Sequence, residues 1–386
     1  MNWKLVSKTI EDELEKYLGF LCQICSFEAT AYDKEPLDLM ANYIADFSKK
    51  EGFEVERIPF QDAGDFLCID INKASEKSCV LLAHTDTVHK KGVFGEEPVQ
   101  RLTDRIIAPG AIDCKGGIAI ALLMMKALLK NGYSRHIRLL LTTDEEISNI
   151  LGGEAERDFF VEKTTGFPYA INCETSENDE VVVARKGICR YRIDIKGVPG
   201  HAGIHYFECS NPIEEAAHKI AALHSQSKRG GVTYSCNIIT GGVVENIIPE
   251  TCSFFVDVRF PRQKDLEEVE ATIKDIVNTC YVAGTSASYT CYRKRPPMEH
   301  NQDTDAVFDK LLFICKKYSL GNLTPVDSGG GSDSGYTQLA GITSICGMGA
   351  CGEFCHTNKE YVLLDSIPLR AKILAAFLME ELLRNT

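Results

Sequence analysis

With 386 residues and 44% hydrophobic side chains, the chain is long enough for two globular domains and a core of good size. Its 55 acidic residues outnumber 42 basic ones, and a net charge of −13 argues against a nucleic-acid partner, which would need a basic surface to displace counterions from phosphates. No apolar run approaches the roughly 20 residues of a membrane span, the N-terminus has no uninterrupted apolar signal segment, and sixteen cysteines lie scattered through apparent core elements, so a cytoplasmic protein with reduced thiols and no membrane partner is expected.

In chain order, helical periodicity runs from about Val6 to Cys25, and the Cys22/Cys25 pair inside it has no second CxxC, which assigns it to packing. A second helix is expected from Pro36, a favourable first-turn residue, to about Lys50. Strands follow at Glu54–Ile58, Phe66–Ile71 and Cys79–His84. The run Gly117–Leu129 is apolar nearly all round, so it reads as a helix buried against a sheet. A strand at Ile137–Thr142 then delivers Asp144, Glu145 and Glu146 at its C-terminal end, and Tyr169–Asn172 delivers Glu174. Strand, helix and strand with polar residues at the strand ends make an α/β core, and such ends are where open sheets bind ligands.

The pattern changes near Val181. Strand Val181–Lys196, helix Pro212–Gln226, strands Thr233–Thr240 and Thr251–Arg259, helix Lys264–Thr279 and strand Ser286–Arg293 follow the β-α-β-β-α-β order of a ferredoxin-like unit. Pro296 and Pro297 mark its exit, after which come a helix (Thr304–Tyr318), a glycine-rich loop, a strand (Ile342–Gly347) and a last helix (Ser366–Leu383). The expected division is therefore 1–180 with 296–386, interrupted by an inserted domain at 181–295.

The chemistry concentrates between His84 and Glu146, with Glu174 and His356 as later additions. Imidazole plus carboxylate is a donor set for catalytic zinc or a similar divalent ion, and no thiolate is needed, although Cys351 and Cys355 flank the His356 region. Two ions roughly 3.5 Å apart require one bridging carboxylate and terminal ligands for each. Asp113 suits the bridge, His84 with Glu174 one ion, and Glu146 with His356 the other. Asp86, two residues after His84, can accept its ring N–H and fix the tautomer. Adjacent glutamates in extended backbone point to opposite sides, so one can hold metal while the other takes a proton; assigning the proton to Glu145 is a choice that the residues alone do not force.

Eight segments carry a resemblance: HTDTVHKKG (84–92), APGAIDCKGG (108–117), TTDEE (142–146), NCETSENDE (172–180), PGHAG (199–203), VENIIPETCSFFVDVR (244–259), SGGGSDSGY (328–336) and CHTNKEYVLLDSIP (355–368). In this order and over nearly the whole chain they resemble the M20 metallopeptidase family of di-zinc exopeptidases and N-deacylases, most of all its glutamate carboxypeptidase branch. The resemblance implies an α/β, zinc-exopeptidase-like catalytic domain with a mixed central sheet, and an inserted α+β ferredoxin-like domain serving as lid and dimerisation module. It implies metal ligands at His84, Asp113, Glu146, Glu174 and His356, the general base at Glu145, a second catalytic acidic residue at Asp86, and a cis bond after Asp113. In the insert it implies substrate contacts from His201, which in dimeric relatives reaches the partner's active site, and from Asn246 and Arg259, with the glycine loop around Gly330 against a bound carboxylate. Without it, His201 reads as a loop hydrogen-bonding residue, Arg259 as a surface strand charge and the three glycines as a flexible turn.

The implied enzyme is a homodimeric hydrolase with two divalent ions, zinc first, with cobalt or manganese as alternatives. It would cleave a peptide or amide bond beside a carboxylate-bearing amino acid in a small peptide or N-acyl amino acid. A deacylase, aminoacylase or di-/tripeptidase is the alternative within the family, and a metal-containing peptide binder the one outside enzymes. Phe207–Pro212 departs from the acidic-Gly-x-Asn-Ala segment of many relatives, which bears on substrate preference, and Cys114 and Cys173 beside two ligands suggest sensitivity to oxidation.

Overall fold

Strand Lys77–His84 is buried along nearly its whole length because it has neighbours on both sides and helices on both faces. In the computed structural model, which describes residues 1–177 and 179–384, it pairs in parallel with His136–Thr142 and with Tyr169–Asn172, and Thr343–Ile345 adds in parallel beyond the latter. Phe66–Ile71 and Glu54–Ile58 extend the other side antiparallel, so the six-stranded sheet is mixed.

Alternation along each strand divides the side chains between two cores. Leu81, Leu139 and Ile171 face a large cluster with helices Trp3–Cys25, Lys34–Lys50, Gly116–Lys130, Gln302–Tyr318 and Ser366–Arg384. Leu82, Leu140 and Ala170 face a smaller one with Phe159, Phe160 and Tyr336 from helices Gly153–Thr164 and Ser334–Leu339. Gly116–Lys130 is buried on nearly every side, as its composition requires. Gly117 in its first turn has no room for a side chain, since a Cβ there would lie 1.9 Å from the Cys173 carbonyl oxygen. Among the described residues no helix is long and apolar enough to cross a membrane.

Most long elements match the expected ones, but helices Gly153–Thr164 and Ser334–Leu339 and strand Thr324–Ser328 were not expected, and three further places differ. Val181–Lys196 is not one strand: Glu180–Arg185 pairs with Thr324–Ser328, and a separate strand starts at Gly187, where the Phe260 ring occupies the space a Cβ would need. Glu145–Ile147 is a short 3-10 turn rather than extended backbone, so the opposed-side-chain argument for the two glutamates does not apply. A four-stranded sheet of short segments, Gly352–Glu353, Tyr361–Leu363, Arg105–Ile107 and Gln100–Arg101, was also not expected.

The chain forms two compact units: Met1–Ala184 with His300–Ser328 and Ser332–Thr386, and Arg185–Glu299 with Gly329–Gly331. The second has strands Gly187–Lys196, Thr233–Gly241, Thr251–Phe260 and Ser286–Arg295 in an antiparallel sheet. Thr233–Gly241 and Ser286–Arg295 are its edges. Helices Pro212–Ser225 and Asp265–Asn278 contribute Ala216, Leu223, Val269 and Ile273 to its core.

Asp70 is a buried charge in the large sheet. It faces its register partner Arg138, with Nε and Nη2 donating at 2.8 and 3.0 Å, and it contacts His136 Nε2 at 2.8 Å. Burial pushes its carboxyl up, but His136 and Arg138 outweigh that and hold it below the ordinary value. Asp70→Ala strands the arginine and should cost about 3–5 kcal/mol in urea unfolding. Because the folded-state pKa is depressed, the wild-type contribution is present above the unfolded pKa and is lost as pH falls through the folded one. A mutant as stable as wild type at neutral pH would refute this.

Candidate metal centre

Three strand ends and two further segments meet at this site. His84 closes Lys77–His84, Glu145 and Glu146 follow His136–Thr142 by three and four residues, and Glu174 follows Tyr169–Asn172 by two. Parallel strands bring their C-terminal ends to one edge of the sheet, which gathers these residues. Asp113 and His356 arrive by another route. Arg105–Ile107 pairs with Tyr361–Leu363, and the segments adjoining that ladder carry Asp113 and His356.

Asp113 is the centre of the arrangement. Its Oδ1 lies 3.1 Å from His84 Nε2, and its Oδ2 lies 3.1 Å from His356 Nε2. Glu174 is 3.5 Å from the same His84 nitrogen, and Glu146 is 3.4 Å from the same His356 nitrogen. One carboxylate thus serves two imidazoles, each with its own second carboxylate. His84, Glu174 and Asp113 are buried, while His356 is half exposed. The peptide bond between Asp113 and Cys114 is cis.

The electrostatics follow from this crowding. Burial pushes Asp113 up, but hydrogen bonds from His356 and His84 hold it well below the carboxylate range. Burial raises Glu146 to about 7, with His356 opposing. His356 is raised far above an ordinary imidazole, first by Asp113 and then by Cys355 and Glu146. Buried carboxylates this close need compensating positive charge, and protonated imidazoles supply it in the ion-free protein. Divalent cations between the two sets of donors would supply it more strongly, and the donors, imidazole nitrogen and carboxylate oxygen, fit zinc, cobalt or manganese. The side chains can therefore hold two ions, with Asp113 shared.

Asp86 is fully buried and organises the donors around it. Its Oδ1 is 3.3 Å from His84 Nδ1 and accepts the Glu145 amide at 3.2 Å, and its Oδ2 accepts the Glu146 amide at 3.0 Å. The carboxylate thereby holds the turn bearing both glutamates, and the Asp86 backbone carbonyl, 3.0 Å from His84 Nδ1, helps it set the imidazole. Sequence reasoning missed two further supports. Glu360 accepts the amides of Ile112 and Asp113 at 3.0 and 3.2 Å and contacts His89 Nε2 at 2.8 Å. Buried Lys115 donates to the carbonyls of Phe27 and Pro109 at 3.0 and 3.3 Å. A lone Glu in NKEY looks like surface charge; its one signal was its position at the entry to Tyr361–Leu363.

The remaining candidates lie in the second unit. His201 is exposed, and its Nδ1 accepts the amides of Gly203 and Ile204 at 3.1 and 3.3 Å, which in the neutral ring leaves the proton on Nε2. Asn246 is exposed, and its carbonyl accepts the Ala202 amide at 2.9 Å. Arg259 is held by Asp257 through Nε and Nη2, at 2.5 and 3.2 Å, and its Nη1 donates to the Gly329 carbonyl at 3.4 Å, next to Gly330. Arg259 is therefore an anchored cation rather than a loose surface charge.

The model of peptidase family M20/M25/M40 matches residues 80–380. Carboxypeptidase G2 of Pseudomonas sp. (strain RS-16) is 27% identical over 379 residues, spanning 96% of this chain and 90% of that protein. A succinyl-diaminopimelate desuccinylase of Rickettsia canadensis (strain McKiel) is 23% identical over 399 residues, spanning 95% and 99%. The crystal structure of the M20 family metallo-carboxypeptidase Sso-CP2 from Sulfolobus solfataricus superposes with a TM-score of 0.76 at 18% identity, covering 94% of this chain and 98% of that one, which shows a shared fold. A family match that takes in every residue of the Asp113 cluster establishes that the chain belongs to peptidase family M20/M25/M40 and is a metal-dependent hydrolase of amide or peptide bonds.

Proposed function

We propose that this hydrolase is carboxypeptidase-like and cleaves the bond beside a carboxylate-bearing amino acid in a small peptide or N-acyl amino acid. The observation that carries the reading is the division of the Asp113 carboxylate between two imidazole-carboxylate pairs. In this reading His84 and Glu174 would hold one ion and Glu146 and His356 the other, with Asp113 available to both. Bound there, the ions supply Lewis acidity that polarises the scissile carbonyl and makes water acidic enough to attack it near neutral pH. Glu145 accepts the proton that water loses as its oxygen bonds to the carbonyl carbon, and returns it to the nitrogen as the C–N bond breaks. Asp86 acts through His84 and the Glu145 and Glu146 amides, so it is a positioning residue.

The insert is read as a lid and dimerisation module. His201 donates its Nε2–H to the developing oxyanion in the partner subunit's site, Arg259 and the Gly330 segment take the free carboxylate, and Asn246 contacts substrate. Support comes from the fixed tautomer of His201, from the positive charge of Arg259 anchored by Asp257 beside the glycine loop, and from the likeness to carboxypeptidase G2. Exposed Ile238 and Ile239 on the edge strand Thr233–Gly241 support pairing of two subunits there. The desuccinylase likeness favours an N-acyl amino acid as the second reading. A cytoplasmic location is supported by the spread of cysteines through buried strands and helices of a large chain, a usage that suits a reducing compartment.

Glu145→Gln should lower kcat about a thousandfold while metal content, measured by elemental analysis, stays at two ions per chain; equal turnover would remove Glu145 as the base. Arg259→Lys should raise KM for substrates ending in a free carboxylate and leave their amidated counterparts unchanged, and equal effects on both would separate Arg259 from carboxylate recognition. Glu146, at about 7, and the raised His356 carry protons near neutrality when ion-free, so metal binding must displace them and apparent affinity should weaken as pH falls. Calorimetry in buffers of different ionisation enthalpy should register that release, and binding without it would contradict the assignment of these two ligands.

A further inference from the structure

Asp113 Oδ2 has a second neighbour besides His356. Cys355 Sγ lies 3.1 Å from the same oxygen, and a sulfur, an imidazole nitrogen and a carboxylate oxygen lie within 4.8 Å of one another at Asp113, Cys355 and His356. The residue is half-buried beside the site.

We infer that Cys355 is a thiolate ligand of the ion held by His356, Glu146 and Asp113, giving the two metal positions different donor sets. The inference rests on the dinuclear reading above and goes beyond its five ligands. One position then has nitrogen and oxygen donors from His84, Glu174 and Asp113, and the other adds sulfur. Without a cation, the thiol donates its S–H to Asp113 Oδ2. A coordinated cation removes that proton, because a thiol bound to zinc is deprotonated outright. The S–H bond breaks, sulfur donates its pair to the ion, and the proton leaves to solvent.

The other cysteine near the centre behaves differently. Cys114 is grouped with His84 and Glu174, but it is fully buried and its thiol donates to the Cys173 carbonyl at 3.3 Å. That bond turns Cys114 toward the backbone, whereas Cys355 is directed at a carboxylate already serving the site. Thiolate selects softer ions, so the His356 position should favour zinc or cadmium over manganese, and the His84 position should discriminate less.

The test uses the full-length protein, stripped of metal and reloaded with Co²⁺ under reducing, oxygen-free conditions. Wild type should bind two ions and show thiolate-to-cobalt charge-transfer absorption in the near ultraviolet. Cys355→Ser should still bind two ions but lose that absorption, Cys114→Ser should keep it, and the preference of Cys355→Ser for zinc over manganese should fall about tenfold or more. Two bound ions without the absorption in wild type would overturn the inference and leave the dinuclear reading standing. Absorption that survives in Cys355→Ser and disappears in Cys114→Ser would overturn it in favour of Cys114, and failure to bind cobalt would overturn both readings. If Cys355→Ser does not fold, zinc-edge X-ray absorption of wild type decides: a sulfur neighbour at about 2.3 Å supports the ligand and a shell of nitrogen and oxygen alone rejects it.

Discussion

A single carboxylate facing two imidazoles is the constraint on which the rest of this molecule depends. Asp113 can serve both His84 and His356 only if its backbone, both rings and two further carboxylates are held together in a poorly hydrated place. Like charges so confined repel strongly at low effective dielectric. Positive charge must sit among them, whether as protons on imidazole or as metal ions. The features around the centre answer that requirement. Asp86 fixes one imidazole and two amides, Glu360 fixes the Asp113 backbone, and the short strands at Arg105–Ile107 and Tyr361–Leu363 bring a late segment to an early one.

Carboxylates hold this site in two different ways. Those gathered around the two imidazoles, Asp113, Glu146 and Glu174, need positive charge from the rings or, in the proposed reading, from bound ions. Asp86 and Glu360 are equally buried but face backbone N–H groups and imidazole, so their charges are satisfied by the protein itself. Burial alone therefore does not distinguish a ligand from a support; the identity of the partners does. The same criterion separates Cys355, aimed at Asp113, from Cys114, aimed at a carbonyl.

The second unit follows a similar economy. Arg259 is held in place by Asp257, and the backbone amides of the PGHAG turn determine which nitrogen of His201 carries the proton. Preset side chains of this kind lose less freedom when they engage a ligand.

Read as sequence, the chain already determined most of the α/β core, because buried strands and an all-apolar helix carry unmistakable patterns: Lys77–His84, His136–Thr142 and Gly116–Lys130 lie within a residue or two of expectation. The β-α-β-β-α-β order of the insert was equally legible from alternation and helical period. Residue types with the family resemblance also determined the candidate ligand set. Tertiary structure decided what local pattern cannot encode. It ended the strand before Gly187, where the Phe260 ring lies, and folded Glu145–Ile147 into a turn whose amides bond to Asp86. It made Glu360 a buried support rather than a surface charge, and it brought Cys355 to Asp113 across 242 residues of chain. These outcomes depend on partners remote in sequence, and the side chain's own identity says nothing about which partner it will meet.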